Sequence, residues 1–489
     1  MLRKVFSYGS FAILIVLLQI ILLIYAVTAG TNVPAVGLFY YVLTYSCVVH
    51  AISAPMNSGY KLCWVVPMLC FPLYGGIAYI LFSRNHSINA IHHRMKPYLM
   101  SEIRKLPSLP PENSIQRYLS LQGFPLCESG EAHYYSFGEE LFCEMLKRIR
   151  QARKFIYIEF FIIADGKAWS IMEKLLSEKA AEGVKIRIIA DSAGCLFTKP
   201  VNFRKRLKKI GAEYMEFNPV TMRATGRVNY RNHRKILVCD GEYAFCCGIN
   251  ISDEYMNYKE RFGKWKDTGV MVSGKAAESF KAMFEGMWNY LCEGKTEAFT
   301  VSFIQEQNCT VQPFSDSPFD DEAIGLRTYI SLINSAEHDI FLTTPYLVCD
   351  DEMLNSLIFA AKRGVSVKLI TPGIPDKKYV YTMTRSFYKP LIEAGVEIYE
   401  YSPGFIHSKT LVVDEKTAVA GTINFDYRSM FLLFECACIF YGGNVIEEIS
   451  SDFSKTLKIS NLISLAEVSK TSVVVRIIRG FLKLFAPLM

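Results

Sequence analysis

Three patterns of apolar and polar positions follow one another along the chain. The first is a set of apolar runs. Phe11–Val27 is apolar except for Gln19 and follows Arg3 and Lys4; Leu62–Phe82 is a second run, ending at Ser83 and Arg84. Each is long enough to span a bilayer. Between them, Ala35–Ala51 is apolar but carries Ser46, His50 and several tyrosines, so it either spans or lies at the interface. A cleaved signal peptide is the competing reading of Phe11–Val27. No small-residue cleavage site stands out and more apolar segments follow, which argues against it. Basic residues flank the block: Arg3 and Lys4 before it, Arg84, Arg94, Lys96, Arg104 and Lys105 after it. Lys and Arg beside membrane segments are retained inside, so both flanks are expected in the cytoplasm, with an even number of crossings between them.

A polar stretch over 85–125, with prolines around Leu106–Pro125, reads as a linker. Beyond it, strand and helix patterns alternate. Lys154–Ile163 predicts a strand, Trp169–Ala181 a helix, Gly183–Ala190 a strand, Phe203–Ile210 a basic helix and Glu213–Phe217 a strand. The series then recurs: Asp339–Pro345 strand, Glu352–Arg363 helix, Gly364–Thr371 strand, Tyr388–Ala394 helix, Glu397–Tyr401 strand. Ala180–Val184 matches Ala361–Val365 closely, and Lys209–Glu213 matches Glu393–Glu397. Such alternation implies mostly parallel sheets covered by helices. The expected fold is therefore α/β: transmembrane helices within 1–84, then two similar lobes over 126–300 and 301–489 that face a shared cleft.

Composition narrows the class. Hydrophobic residues make up 51% of the 489, and the excess sits at the front. The formal charge of +7 points to an anionic partner, and nucleic acid and anionic lipid both suit that sign. The 14 cysteines show no zinc spacing and read as reduced core thiols.

Each half also carries the same polar constellation. Asn229–Asn250 contains His233, Lys235, Asp240, Gly248 and Asn250; Gly404–Asn424 contains His407, Lys409, Asp414, Gly421 and Asn424. Residues two apart on a strand point the same way, so each imidazole stands beside an ammonium. That pairing suits a phosphate diester: a nucleophile or acid next to a cation for the oxyanion. Two copies supply what a two-step displacement at phosphorus needs. A lone histidine would more often be structural, but both recur in one context. Lys235 and Lys409 precede apolar strand residues, where a lysine without an anion is costly. Asn250 and Asn424 read as donors to the same oxygens, or as turn formers. Glu159 and Glu435 sit in apolar strands and want partners; a histidine fits. Arg231, Asn232, Arg428 and Ser429 flank the motifs. The tail Ser472–Met489 spaces Arg476, Arg479 and Lys483 along an apolar helix pattern, which either docks on the core or lies on anionic lipid.

The doubled motif resembles the phospholipase D superfamily, whose signature is His-x-Lys, four residues, Asp, six residues, then Gly-Gly/Ser/Thr-x-Asn. The second copy fits throughout with Gly421-Thr422-Ile423-Asn424. The first has Cys247 where a Gly is usual, followed by Gly248-Ile249-Asn250. The flanks Tyr60–Trp64, Tyr157–Ile162, Arg231–Lys235, Thr344–Tyr346 and Leu484–Leu488 resemble bacterial cardiolipin synthases. The resemblance implies two phospholipase D-like lobes, with His233 as nucleophile and His407 as acid and base. It implies that Glu159 and Glu435 contact the histidines across the duplication. Asp240 and Asp414 complete the expected catalytic set, orienting the imidazoles or bracing their loops. The expected reaction joins two phosphatidylglycerols into cardiolipin and releases glycerol; the alternative is hydrolysis of phospholipids. Phosphatidylglycerol and other anionic phospholipids are the expected partners rather than nucleic acid, since a nuclease has no use for membrane spans. No metal or other cofactor is expected, because the lysines carry the charge. The expected location is the bacterial cell membrane, multi-pass, with cytoplasmic lobes.

Overall fold

The computed structural model describes residues 34–54, 56–83, 86–220, 229–294, 299 and 309–488. The run Phe11–Val27 lies outside them. The chain forms two compact units, one of N-terminal helices together with Leu484–Leu488, the other of Ile88–Lys483.

In the first unit Ala35–Ala51 falls within one helix, Pro34–Ser53. The run Leu62–Phe82, expected as one span, is instead two helices, Ser58–Cys70 and Pro72–Ser83. Pro72 explains the break: proline has no N–H to continue the ladder and prefers the first turn of a helix. At 13 and 12 residues, the pieces are about 20 and 18 Å long, short of the roughly 30 Å hydrocarbon layer. Among the described residues, no helix is long and apolar enough to cross a membrane. The three helices close around Cys47, Val48, Ala51, Met68 and Tyr79, while Leu38, Phe39, Val42, Val49 and Ile52 are exposed.

The second unit begins with the stretch read as a linker, which holds a helix at Ser114–Leu121. Asn113 and Gln116 form a capping box there, and Ile115 and Leu119 are buried. That signal sits among prolines and polar residues that mask it.

Two large sheets follow. In the first lobe seven strands lie in the order Ala132–Tyr135, Gly269–Ser273, Tyr243–Cys247, Ile236–Cys239, Phe155–Phe160, Lys185–Asp191, Glu213–Phe217. The second lobe repeats this core as Leu433–Tyr441, Thr417–Gly421, Thr410–Val413, Asp339–Thr343, Ser366–Pro372, Glu397–Tyr401 within a ten-stranded sheet. Strand Cys127–Ser129 pairs with Cys309–Asp316 and so belongs to the second lobe's sheet. Each sheet is mixed. The last three strands of the repeated core are parallel in each, as the alternation predicts. The motif half is antiparallel, because tight turns at Asp240-Gly241 and Asp414-Glu415 join its strands. All four turn residues have positive φ, the hairpin geometry that reverses a chain in two residues. Strands Glu213–Phe217 and Glu397–Tyr401 lie where the alternation places them. The helix expected at Tyr388–Ala394 spans Lys378–Glu393 and runs through Pro390. Helix Lys275–Leu291 packs on both sheets and is buried along most of its length.

The lobes are joined by reciprocal exchange. Arg231–Asn232 adds to the second lobe's sheet, parallel to Leu433–Phe434, and Lys266 of the first lobe bridges Ile406 of the second. The His233 N–H donates to Phe434 O at 2.8 Å, and the His407 N–H to Lys266 O at 2.7 Å. Each motif thus starts from a backbone bond to the opposite lobe.

Candidate active site

Each His-x-Lys lies just before an apolar strand, Ile236–Cys239 or Thr410–Val413, whose buried alternation fixes which way the pair points. Both histidines line one cavity of about 580 Å³, with Asn250, Asn424, Arg231 and Arg428. The volume falls in the range of small-molecule sites.

The imidazoles are held from across the duplication. His233 Nδ1 lies 2.9 Å from both carboxyl oxygens of Glu435. His407 Nδ1 lies 2.6 Å from Asp267 Oδ2. It is also 2.8 Å from Lys409 Nζ, but one ring nitrogen cannot donate to Asp267 and accept from Lys409 together. The shorter contact assigns the proton to Nδ1, and Lys409 then donates to the His407 carbonyl. With its carboxylate ionised, each partner accepts from Nδ1 and leaves Nε2 of the neutral ring free to act. Lys235 Nζ likewise donates to the His233 carbonyl, at 2.7 Å.

Asp267 was missed by the sequence reading, and Glu159 was given its role. Glu159 is fully buried but accepts from Asn232 Nδ2 at 2.6 Å; its place in the sheet matches Thr343, not Glu435. The match to Glu435 is Asp267. Cys247 faces Gly269 and Gly421 faces Ala437, and the carboxylate stands two residues before Gly269 in one lobe and before Ala437 in the other. The signal was present but hidden, because the loop from Asn250 to Asp267 is longer than that from Asn424 to Glu435.

Asp240 and Asp414, expected in the catalytic set, do not reach the cleft; of their two expected roles they take the second, bracing the loop. Asp240 accepts from the backbone N–H groups of Arg153, Lys154 and Phe155 at 2.7–2.8 Å. Asp414 accepts from Glu337, His338 and Asp339 at 2.7–2.9 Å. Each sits at the far end of its motif strand from the histidine and ties the hairpin to the start of the central strand. Burial works against ionisation of Asp414, yet the three N–H groups hold its carboxyl below the ordinary value.

The motif glycines make room. A Cβ on Gly248 would fall 2.0 Å from Asp267 Oδ1. In the second lobe that position is Thr422, whose hydroxyl donates to Glu435. The departure at Cys247 is compensated across the sheet. A Cβ on Gly269 would come within 2.5 Å of Cys247 Cβ, and one on Gly421 within 2.6 Å of Ala437 Cβ. Each lobe therefore keeps one glycine in the facing pair, on opposite strands.

The asparagines also differ. Asn250 accepts from Ile162 N at 3.0 Å and donates to Tyr255 OH at 2.7 Å. Asn424 Oδ1 is buried without a hydrogen-bond partner among the described residues. Aromatic rings surround His407: Tyr255, Trp265 and Phe405 have centroids within 5.7 Å of it. His233 meets the edge of Phe161.

Burial drives Glu435, both histidines and both lysines toward their neutral forms. It pushes Glu435 well above the carboxylate range, with Lys235 opposing. It pushes His233 well below the usual imidazole value, aided by Lys235 and Lys409. Burial, then Lys409, brings His407 down to about 4 against the pull of Asp267. Burial lowers Lys235 to about 8 and Lys409 to about 7. A site that discourages cations yet gathers two histidines and two lysines is poised for an anion, which restores the charged forms of these bases.

Comparison with known proteins agrees with this geometry. A family profile described as cardiolipin synthase, phospholipase D-like domain, matches residues 145–288 and 329–457. A second, phospholipase D-nuclease N-terminal, matches 42–84. An uncharacterized protein of Streptococcus mutans serotype c is 38% identical over 90% of this chain and 99% of its own. The cardiolipin synthase of Clostridium perfringens (strain SM101 / Type A) is 32% identical over 87% and 93%. The fold is shared with the phosphatidylserine synthase of Haemophilus influenzae Rd KW20, with a TM-score of 0.59 at 14% identity over 77% of this chain and 100% of that one. The duplicated lobes, the paired motifs and these relatives place the chain in the phospholipase D-like cardiolipin synthase family.

Proposed function

We propose that the protein is a membrane-bound phosphatidyltransferase that makes cardiolipin and glycerol from two phosphatidylglycerols. One observation carries the reading: two imidazoles face a single cleft, each oriented by a carboxylate from the other lobe. His233 Nε2 attacks the phosphorus of the donor lipid, and the bond from phosphorus to the glycerol headgroup breaks. The leaving alkoxide takes a proton from protonated His407. The terminal hydroxyl of a second phosphatidylglycerol then gives its proton to His407 and attacks phosphorus, and the His233–phosphorus bond breaks. Lys235 and Lys409 stabilise the charge that builds on the phosphoryl oxygens, and Asn250 and Asn424 are placed to assist. Assigning His233 as nucleophile rests on family resemblance.

The acceptor choice is supported by the cardiolipin synthase relatives and by the aromatic rings packed around His407, an apolar surround that suits a lipid alcohol better than water. Membrane residence is supported by the apolar run at Phe11–Val27 and the exposed apolar side chains of the N-terminal helices. The basic residues after Ser83 favour cytoplasmic lobes. The test is purified protein with phosphatidylglycerol in mixed micelles, with products resolved by mass. Cardiolipin and glycerol in equal amounts are expected. Phosphatidic acid as the sole lipid product assigns hydrolysis instead.

A further inference from the structure

We propose that the C-terminal helix Val473–Leu484 lies flat in the headgroup layer of an anionic bilayer, apolar side inward, beside the wall of the cleft. Val473, Val474, Ile477, Ile478 and Phe481 recur at helical spacing and so share one face. They are 64, 66, 67, 47 and 63% exposed, and no residue of the helix is buried. The opposite side, which carries Val475, Arg479, Leu482 and Lys483, is half-buried toward protein. Arg479 Nη1 donates to Thr471 Oγ1 at 3.2 Å, and Lys483 Nζ lies 4.3 Å above the Phe387 ring. A helix on a water-facing surface is arranged the other way round, with its apolar stripe on the core. An outward apolar stripe of this size marks a contact with something other than water.

Charge identifies the occupant. From Lys470 to the end of the chain there are four basic residues and no acidic one. Arg476 is exposed at the edge of the stripe, and Lys470 is exposed just before the helix. Apolar side chains rimmed by cations match acyl chains beneath anionic phosphates, and such helices sit about 5–10 Å deep. Phe387, under Lys483, belongs to helix Lys378–Glu393, whose Tyr379 and Met383 line the cleft. Lipid seated on the stripe therefore lies alongside the cleft wall. The helix's location stands on the exposed stripe; only its purpose rests on the lipid-transfer reading above.

The test uses the full chain reconstituted in phosphatidylglycerol-containing vesicles, with p-benzoylphenylalanine at Ile477 or, separately, at Val475 on the protein-facing side. Illumination should give lipid adducts at Ile477 and intrachain crosslinks at Val475. Crosslinks from Ile477 to residues 1–33 or to a second copy of the chain, or no lipid adduct there, overturn the proposal. An inactive enzyme that still forms the lipid adduct refutes the proposed function and leaves the helix assignment standing. In addition, Ile477→Asp/Ile478→Asp should lower turnover on vesicles at least fivefold and leave turnover in detergent micelles unchanged. Equal turnover on both overturns the proposal.

Discussion

The two lobes run the same motif with different supports. The first lobe presents His233 and lends Asp267; the second presents His407 and lends Glu435. The aspartate needs Gly248 beside it, whereas the glutamate takes a hydroxyl from Thr422. Cys247 packs on Gly269 in one sheet, and Gly421 on Ala437 in the other. The His-x-Lys pairs coincide while the residues behind them trade size across a strand. What the duplication preserved is the position of two imidazoles, not the means of holding them.

The severest break in this comparison removes an imidazole. His233→Ala and His407→Ala should each cut product formation by at least about a thousandfold, and the double variant should be no worse than either single one, because both act in one cycle. Substantial turnover in either single variant sinks the shared cleft.

Next come the crossed carboxylates. Asp267→Asn and Glu435→Gln should each cost about a hundredfold or more in kcat, with little change in KM, by leaving an imidazole in the wrong tautomer. Glu159→Gln should cost far less. Steady-state kinetics on micelles separates the three, and a Glu159 effect equal to the others would restore that residue to the histidine.

The traded glycines test packing alone. Gly269→Ala should destabilise by about 1–3 kcal/mol in denaturant unfolding, and adding Cys247→Gly should recover much of that. Gly421→Ala with Ala437→Gly should recover less, because a Cβ at 421 also comes within 2.5 Å of Ala437 Cα and Cys436 O. Equal recovery in both lobes would contradict this reading.

The smallest effect is a proton. Burial holds Lys409 at about 7 and Lys235 at about 8 in the empty cleft. A bound phosphodiester raises both, so binding at pH 8 should take up about one proton, and less as the pH falls below 7. Calorimetry with glycerophosphoglycerol in buffers of different ionisation enthalpy reads this directly. Heats independent of buffer would rule it out. The same shifts penalise folding: both folded values lie below the 10.5 of a free lysine, so protonation favours the unfolded chain. The empty protein should gain stability as the pH rises from about 7 toward 10.5.

What the sequence made readable follows from range. Strands Glu213–Phe217 and Glu397–Tyr401 declare themselves locally, as does the doubled His-x-Lys. The helix at Lys378–Glu393 is legible only from Tyr388 on, because its first half is polar. Asp267 carried no local mark; it stands in a polar loop, and its meaning comes from a histidine 140 positions away in the other lobe. Asp240 and Asp414 are the converse case, marked by the motif yet bracing a loop rather than acting in the cleft. Constancy within a motif says that a residue is needed, and three backbone N–H groups at a left-handed turn need an aspartate as firmly as chemistry does.

The crossed carboxylates also leave neither lobe with a complete site of its own, which bears on a chain still being made. A first lobe emerging from the ribosome carries His233 but lacks Glu435, and it holds Asp267 with no histidine to orient. On the function proposed here, such a half-made chain at the membrane has no competent nucleophile and leaves the surrounding lipid intact. Activity switches on only when the second lobe docks, so completion of the chain is itself the licence to cut a phosphodiester.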